Sequence, residues 1–83
     1  MRAQETDEQA RNAFESGREA FSRGDYETAL TQFRVAYELS RRPGLLYNVA
    51  QSLDRLRRDE EALQVFRQYL QEVPSSRSRA EVE

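Results

Sequence analysis

Apolar residues recur at three- and four-residue steps in four segments of the chain, the spacing that places side chains on one face of an α-helix. The first segment is dominated by small residues, and the other three combine aliphatic with aromatic ones. These stripes consist of Ala10, Ala13, Gly17 and Ala20; Ala29, Leu30, Phe33, Ala36 and Tyr37; Leu46, Val49, Ala50, Leu53 and Leu56; and Ala62, Leu63, Phe66, Tyr69, Leu70 and Val73. We therefore predict an all-α fold of four helices, each with its stripe turned inward.

Capping residues predict where the first two helices begin and end. Thr6 or Asp7 is placed to cap the start of the first helix, because both side chains accept hydrogen bonds from free backbone N–H groups. Gly24 fits a left-handed residue that ends this helix. Asp25 follows it and is expected to cap the second helix.

The boundaries of the last two helices are predicted from prolines and one acidic residue. The second helix is expected to end around residues 40–42, and Pro43 fits the first turn of the third helix, where its missing N–H costs nothing. Asp59 is expected to cap the fourth helix. Pro74 is expected to end it, because proline cannot continue a helical hydrogen-bond pattern.

The chain repeats itself with a period of about 33 residues. A shift of 33 places residues 27–34 on residues 60–67, and five of these eight pairs are identical. Further upstream the match is only in residue type, as for Phe14 and Tyr47. A period of this length is typical of stacked two-helix units, so we expect two helix pairs packed side by side.

This pattern resembles the tetratricopeptide repeat, whose unit is a pair of antiparallel helices. The matching positions are Gly17, Gly24, Asp25, Tyr26, Ala29, Phe33 and Ala36 in the first copy and Leu46, Asn48, Ala50, Ala62, Phe66 and Pro74 in the second. The resemblance implies an α-solenoid of two helix hairpins in one domain, residues 1–83. Repeat one then spans about 10–42, repeat two spans 43–74, and residues 75–83 begin a capping helix.

The second turn departs from the first. Arg57-Arg58-Asp59 stands where the first turn has Gly24-Asp25-Tyr26. If Arg57 adopts the left-handed conformation expected of a glycine, it costs about 1 kcal/mol. The second hairpin is therefore expected to be the looser one.

Composition excludes several function classes. The 83 residues contain no cysteine and no histidine, so thiol catalysis, disulfides and the commonest metal ligand are absent. We predict no catalytic residues, no metal site, no cofactor and no enzyme activity. The formal net charge of −2 argues against a nucleic-acid partner. The apolar runs are too short for direct membrane insertion.

The resemblance implies that the first helix of each pair lines an inner groove, which is the candidate site for another protein or a peptide. Aromatic and arginine side chains are favoured anchors at such interfaces. The predicted partner-binding residues are Arg11, Phe14, Arg18, Phe21, Tyr47, Asn48, Gln51 and Arg55.

Each aromatic residue of this set also has a structural alternative. Phe14 and Tyr47 occupy equivalent positions, so both can simply pack between adjacent helices. Phe21 has the better claim to exposure because its equivalent is Asp54. In some members of the family an asparagine at the position of Asn48 clamps a terminal carboxylate. Phe14 stands where that clamp needs a lysine, so contact with a peptide backbone is the stronger expectation.

The alternative function is a homodimeric scaffold. Two repeats are fewer than the three or so that usually form a stable array. An open end after the fourth helix would expose apolar side chains, and these predicted self-association residues are Phe66, Tyr69, Leu70 and Val73.

Location is left open by the sequence. No targeting signal is recognised, so the cytoplasm is the default expectation. The stretch from Phe66 to Pro74 resembles repeats of bacterial cell-envelope proteins, and the periplasm is the alternative if an export signal precedes Ala3.

Overall fold

The computed structural model describes residues 3–73, and four helices account for most of them. They are α1 (Ala3–Ser22), α2 (Tyr26–Ser40), α3 (Gly44–Arg55) and α4 (Asp59–Glu72). Within this range there is no strand, and each helix packs on the next one along the chain. The prediction of an all-α fold with four helices is confirmed.

The helices alternate in direction because each is joined to the next by a short turn. At one end of the molecule, Arg58 just before α4 pairs with Glu27 in the first turn of α2, with 3.0 Å between nitrogen and oxygen. At the opposite end, the Tyr37 hydroxyl of α2 donates to Glu72 Oε1 of α4 at 2.7 Å. The starts of α2 and α4 therefore lie together, and so do their ends.

The first turn has the chemistry that the sequence predicts. Gly24 adopts φ +81°, a conformation that L side chains disfavour, and so ends α1. The Asp25 side chain accepts a hydrogen bond from the Thr28 backbone N–H at 3.3 Å and caps α2. In the second turn Arg57 adopts φ 66°, as expected from its position.

Two predicted helix starts are wrong. The first helix begins at Ala3, so Thr6 and Asp7 lie inside it rather than at its cap. Polar residues with good helix propensity precede the apolar stripe and extend the helix. Asp59 is the first residue of α4, and Arg58 occupies the cap position without a side-chain bond. The Asp59 carboxylate in the first turn still interacts favourably with the helix dipole.

Pro43 lies immediately before α3 and already has helical dihedral angles, φ −58° and ψ −30°. The helix therefore starts one residue after the proline. The predicted stop at Pro74 and the predicted capping segment 75–83 lie outside the described residues.

The core between α1 and α2 depends on small residues. Ala10, Ala13 and Ala20 of α1 are buried, as the periodicity predicts. A Cβ atom added at Gly17 would lie 2.7 Å from two ring carbons of Phe33. The α1 backbone therefore approaches the Phe33 ring more closely than any residue larger than glycine allows without rearrangement.

Helix α3 is buried on two sides, and the sequence pattern predicted only one of them. Leu46, Val49 and Leu53 are buried as predicted, but Leu45 and Ser52 are also buried. The reason is that α3 packs on both α2 and α4, whereas a single stripe describes one packed face. Among residues 3–73 no buried side-chain nitrogen or oxygen lacks a hydrogen bond.

Helix α4 is buried on one side only. Ala62 of α4 and Val73, which follows the helix, are buried, but Leu63 is 50% exposed and Leu70 is 43% exposed. The prediction that Leu63 and Leu70 turn inward is wrong, because no helix of the described range packs on that side of α4. Val65, which the predicted stripe omits, packs against the core instead.

Candidate functional site

A groove of about 570 Å³ lies between α1 and α3, bordered at one end by the connection from α2 to α3. Its lining comes from all three of these segments of the chain. Among the lining residues are Asp7, Ala10, Arg11, Phe14 and Glu15 of α1, Ser40 and Arg42 at the end of α2, and Gly44, Leu45 and Asn48 of α3.

The floor of the groove is apolar. Ala10 and Leu45 are buried, and Phe14 is half-buried. The Phe14 ring packs against the Phe33 ring with 6.0 Å between centroids. Phe14 therefore does both things that the sequence left open, since it packs between helices and presents part of its ring to the groove.

Four polar side chains around the groove have no interaction partner among residues 3–73. They are Asp7, Arg11, Arg42 and Asn48, and the Asn48 amide is half-buried. An amide offers donor N–H groups and an acceptor oxygen at once. The groove thus combines an apolar floor with polar groups that can still form hydrogen bonds and ion pairs.

The connection that closes the groove is held by side-chain hydrogen bonds. Ser40 Oγ donates to the Ala36 carbonyl at 2.8 Å and accepts from the Arg42 backbone N–H at 3.3 Å. Arg41 between them is left-handed, with φ 57°. Sequence reasoning missed Ser40 and Arg42 as lining residues, and the only signal for them was their place at the end of a predicted helix.

The Arg18 side chain contacts other residues of α1 and does not line the groove. Its guanidinium lies 3.4 Å from Glu15 Oε1, one turn earlier on the helix. The same guanidinium lies over the Phe14 ring, 5.9 Å from its centroid. Arg18 therefore covers one side of the Phe14 ring.

Phe21 and Arg55 form a second cluster, at the end of the molecule where α1 ends. The Phe21 ring meets the Tyr26 ring edge-on at 5.0 Å. Arg55 lies over both rings, at 5.2 and 5.6 Å, and donates to the Tyr26 hydroxyl at 3.0 Å. Tyr26 was absent from the predicted site, although the sequence shows a tyrosine in the first turn and none at the equivalent place in the second. This cluster joins the first hairpin to α3.

Tyr47 points toward α4. It is 44% exposed, and its ring lies 5.7 Å from both the Phe66 and the Tyr69 rings. Gln51 is half-buried on the same helix. The single stripe predicted on α3 is therefore divided, with Asn48 in the groove, Arg55 over Phe21, and Tyr47 beside α4.

The predicted self-association residues differ in exposure. Leu70 is exposed, Phe66 and Tyr69 are half-buried, and Val73 is buried by the chain itself. Only part of this set is therefore on the surface, and the exposed Leu63 lies beside it.

The described part of the chain offers neither a membrane-spanning helix nor an acidic metal site. Its helices do not combine the length and apolar character that spanning a membrane requires. Residues 3–73 contain no group of three or more acidic side chains placed to hold a metal ion.

Comparison of the chain with protein-family models, with curated proteins and with solved structures found no match.

Proposed function

We propose that this chain is a tetratricopeptide-type protein-interaction module that binds a short peptide in the groove between α1 and α3. Support comes from the 33-residue internal repeat, from the alternating helices and from the shape of the groove. In this proposal the two helix pairs are successive turns of an α-solenoid, and the groove is its inner side.

The observation that carries the proposal is the Asn48 amide, which lies above an apolar floor and has no hydrogen-bond partner among residues 3–73. A half-buried amide without a partner gains a hydrogen bond when a ligand supplies one, and a peptide backbone supplies both a donor and an acceptor. Asn48 therefore orients the peptide, while an apolar side chain of the peptide lies on Phe14 and Leu45.

The rim charges indicate which peptides fit. Glu15 is already paired with Arg18. The rim charges without an ion-pair partner in the described residues are therefore two arginines, Arg11 and Arg42, against the single carboxylate of Asp7. An acidic side chain next to the apolar anchor gains the interaction with the two arginines. We expect peptides with one apolar residue and at least one neighbouring acidic residue to bind best.

The test uses a phage-displayed library of random twelve-residue peptides selected on the full chain. Selected peptides are then synthesised and their affinities measured by fluorescence anisotropy. Replacing Asn48 with alanine should weaken binding about tenfold, as expected for a lost hydrogen bond in a partly desolvated site. The double charge reversal Arg11→Glu and Arg42→Glu should weaken the binding of acidic peptides further.

Arg34→Glu is the matched control, because Arg34 is an exposed arginine of α2 that does not line the groove. It should leave the affinity unchanged. The proposal fails if the selected peptides bind the Asn48 and arginine variants as tightly as they bind the original chain.

A further inference from the structure

Two equivalent helix faces differ in exposure. The exposed side of α4, which we call the α4 face, consists of the exposed Leu63 and Leu70 with the half-buried Phe66 between them. By the 33-residue period these positions are equivalent to Leu30, Phe33 and Tyr37 of α2. Leu30 is 3% exposed and Tyr37 is 7% exposed, against 50% for Leu63 and 43% for Leu70. Nearly the same apolar pattern is thus buried on α2 and exposed on α4 of the same molecule.

On α2, helix α3 covers Leu30 and Tyr37 of this face, while α1 packs on Phe33. Leu30 belongs to one buried cluster with Val49, and Tyr37 belongs to another with Leu45. Ser52 completes the buried side of α3 with 0% exposure. The molecule therefore shows the kind of surface that fits this face, a helix with aliphatic residues four apart and a small residue three positions later.

We infer that the α4 face is a docking site for an amphipathic helix of another polypeptide that carries the pattern of α3. Leu63 and Leu70 are two helical turns apart, so both exposed leucines lie on the same side of α4. The site is separate from the groove between α1 and α3, so it does not depend on the proposed peptide function.

A second copy stacked in the register of the repeat does not fit the α4 face. Its leading helix would be α1, whose residues at the positions of Leu45, Val49 and Ser52 are Asn12, Ser16 and Glu19. All three are exposed and polar, and Glu19 carries a charge. Burying them against leucine would remove polar groups from water without partners.

A twofold pairing of α4 with α4 of a second copy is opposed by charge. To place Leu63 against Leu70 of the other copy, the symmetry axis must pass beside residues 66 and 67. Arg67 is exposed at that position, so the arginines of the two copies would be brought together. Like charges in close contact disfavour the pairing.

Residues 75–83 carry too little apolar surface to cover the α4 face. Residues 75–83 include two apolar side chains, Ala80 and Val82, spaced two apart. The α3 pattern needs aliphatic residues four apart, because only that spacing places them on the same side of a helix.

The test uses two synthetic peptides of equal length in the same register. One has the sequence of residues 43–58 and contains α3, and the other has the sequence of residues 10–25 and contains most of α1. Their binding to the full chain is measured by fluorescence anisotropy, with light scattering on the same samples. The α3 peptide should bind at least about tenfold more tightly than the α1 peptide.

The double variant Leu63→Glu and Leu70→Glu should abolish this preference, and its helical circular dichroism should be unchanged because both residues are exposed. Val35→Glu is the matched control, since Val35 is 40% exposed on α2, away from the α4 face.

Four outcomes overturn the inference. Equal affinity for the two peptides does so, and so does α3-peptide binding that survives the double glutamate variant. A chain that dimerises through Leu63 and Leu70 and binds no peptide shows that a second copy is the occupant. Peptide binding that appears only after Ala80→Asp and Val82→Asp shows that residues 75–83 are the occupant.

Discussion

The first and the second helix pair carry the same signature but differ in what lies against their second helix. In the first pair, α2 is covered by α1 on one side and by α3 on the other, so Leu30 and Phe33 are both buried. In the second pair, α4 is covered by α3, and Leu63 is open on the other side. The burial of an apolar residue in a repeat is thus decided by the neighbouring repeat as much as by its own.

The two pairs also differ in the turn between their helices. Gly24 and Arg57 are equivalent by the 33-residue period, and both are left-handed, with φ +81° and 66°. The backbone conformation is kept although the residue best suited to it is present only once. Helix packing therefore imposes this conformation on Arg57 against its own preference.

The largest effect that tests this comparison is expected for the two equivalent phenylalanines. Phe33→Ala should cost about 3–5 kcal/mol of unfolding free energy, because the ring is buried and its loss leaves a cavity. Phe66→Ala should cost about 1–2 kcal/mol, since the Phe66 ring is only half-buried. Urea unfolding of both variants measures the difference, provided that the slope of unfolding free energy against urea concentration is the same as in the original chain. Equal losses would contradict the comparison and would show that the α4 face is covered in solution.

A smaller effect is expected at the turns. Gly24→Ala should destabilise the protein by about 1 kcal/mol, because its φ is positive although space for a side chain is free. Arg57→Gly should stabilise it by up to about 1 kcal/mol. Thermal unfolding followed by circular dichroism measures both changes.

Gly44→Ala is the control for the turn variants. Nothing lies within 4 Å of a Cβ added at Gly44, and its φ is not in the left-handed range. Because Gly44 is the first residue of α3, alanine there should be neutral or slightly stabilising. If Gly24→Ala and Gly44→Ala had the same effect, conformation would not be what distinguishes the two glycines.

The smallest effect is expected from acidification at the contact between the ends of α2 and α4. Hydrogen bonds from Gln68 and from the Tyr37 hydroxyl hold the pKa of the Glu72 carboxyl below its ordinary value of 4.5. Because the folded pKa is lowered, the charged carboxylate stabilises the fold above about pH 4.5, and this contribution is lost as the pH falls through the folded value.

The variant Glu72→Gln isolates this contribution. The stability difference between the original chain and the variant should be greatest at pH 7 and should shrink by pH 3, as measured by urea unfolding at each pH. A difference that grows on acidification would contradict the lowered pKa of Glu72.

Much of the fold was predictable because its signals are local. The stripe of Ala10, Ala13 and Ala20 identified the packed face of α1, and Asp25 identified the start of α2. Errors occurred where local rules compete. Asp59 has a good capping side chain and was predicted to cap α4, but in the structure it is the first residue of that helix. The start of α1 was missed because residues 3–9 carry helix propensity without an apolar stripe.

The candidate site was less predictable than the fold. Arg11, Phe14 and Asn48 were identified by the family resemblance together with helical spacing, and the structure brings them together in one groove. Ser40 and Arg42 were missed because they reach the groove through the connection that follows α2. Tyr47 and Arg55 were placed on the same stripe as Asn48, but contacts with Phe66 and with Tyr26 turn them to other parts of the surface.

The sequence by itself determined four helices, their turn at Gly24 and the 33-residue repeat, because helix periodicity and turn preference depend on residues close together in the chain. Only the tertiary structure decided that α3 is buried on two sides and that Leu63 and Leu70 are exposed. The physical reason is that burial depends on which surfaces meet, and the residues that meet Leu30 on α2 lie about twenty positions away.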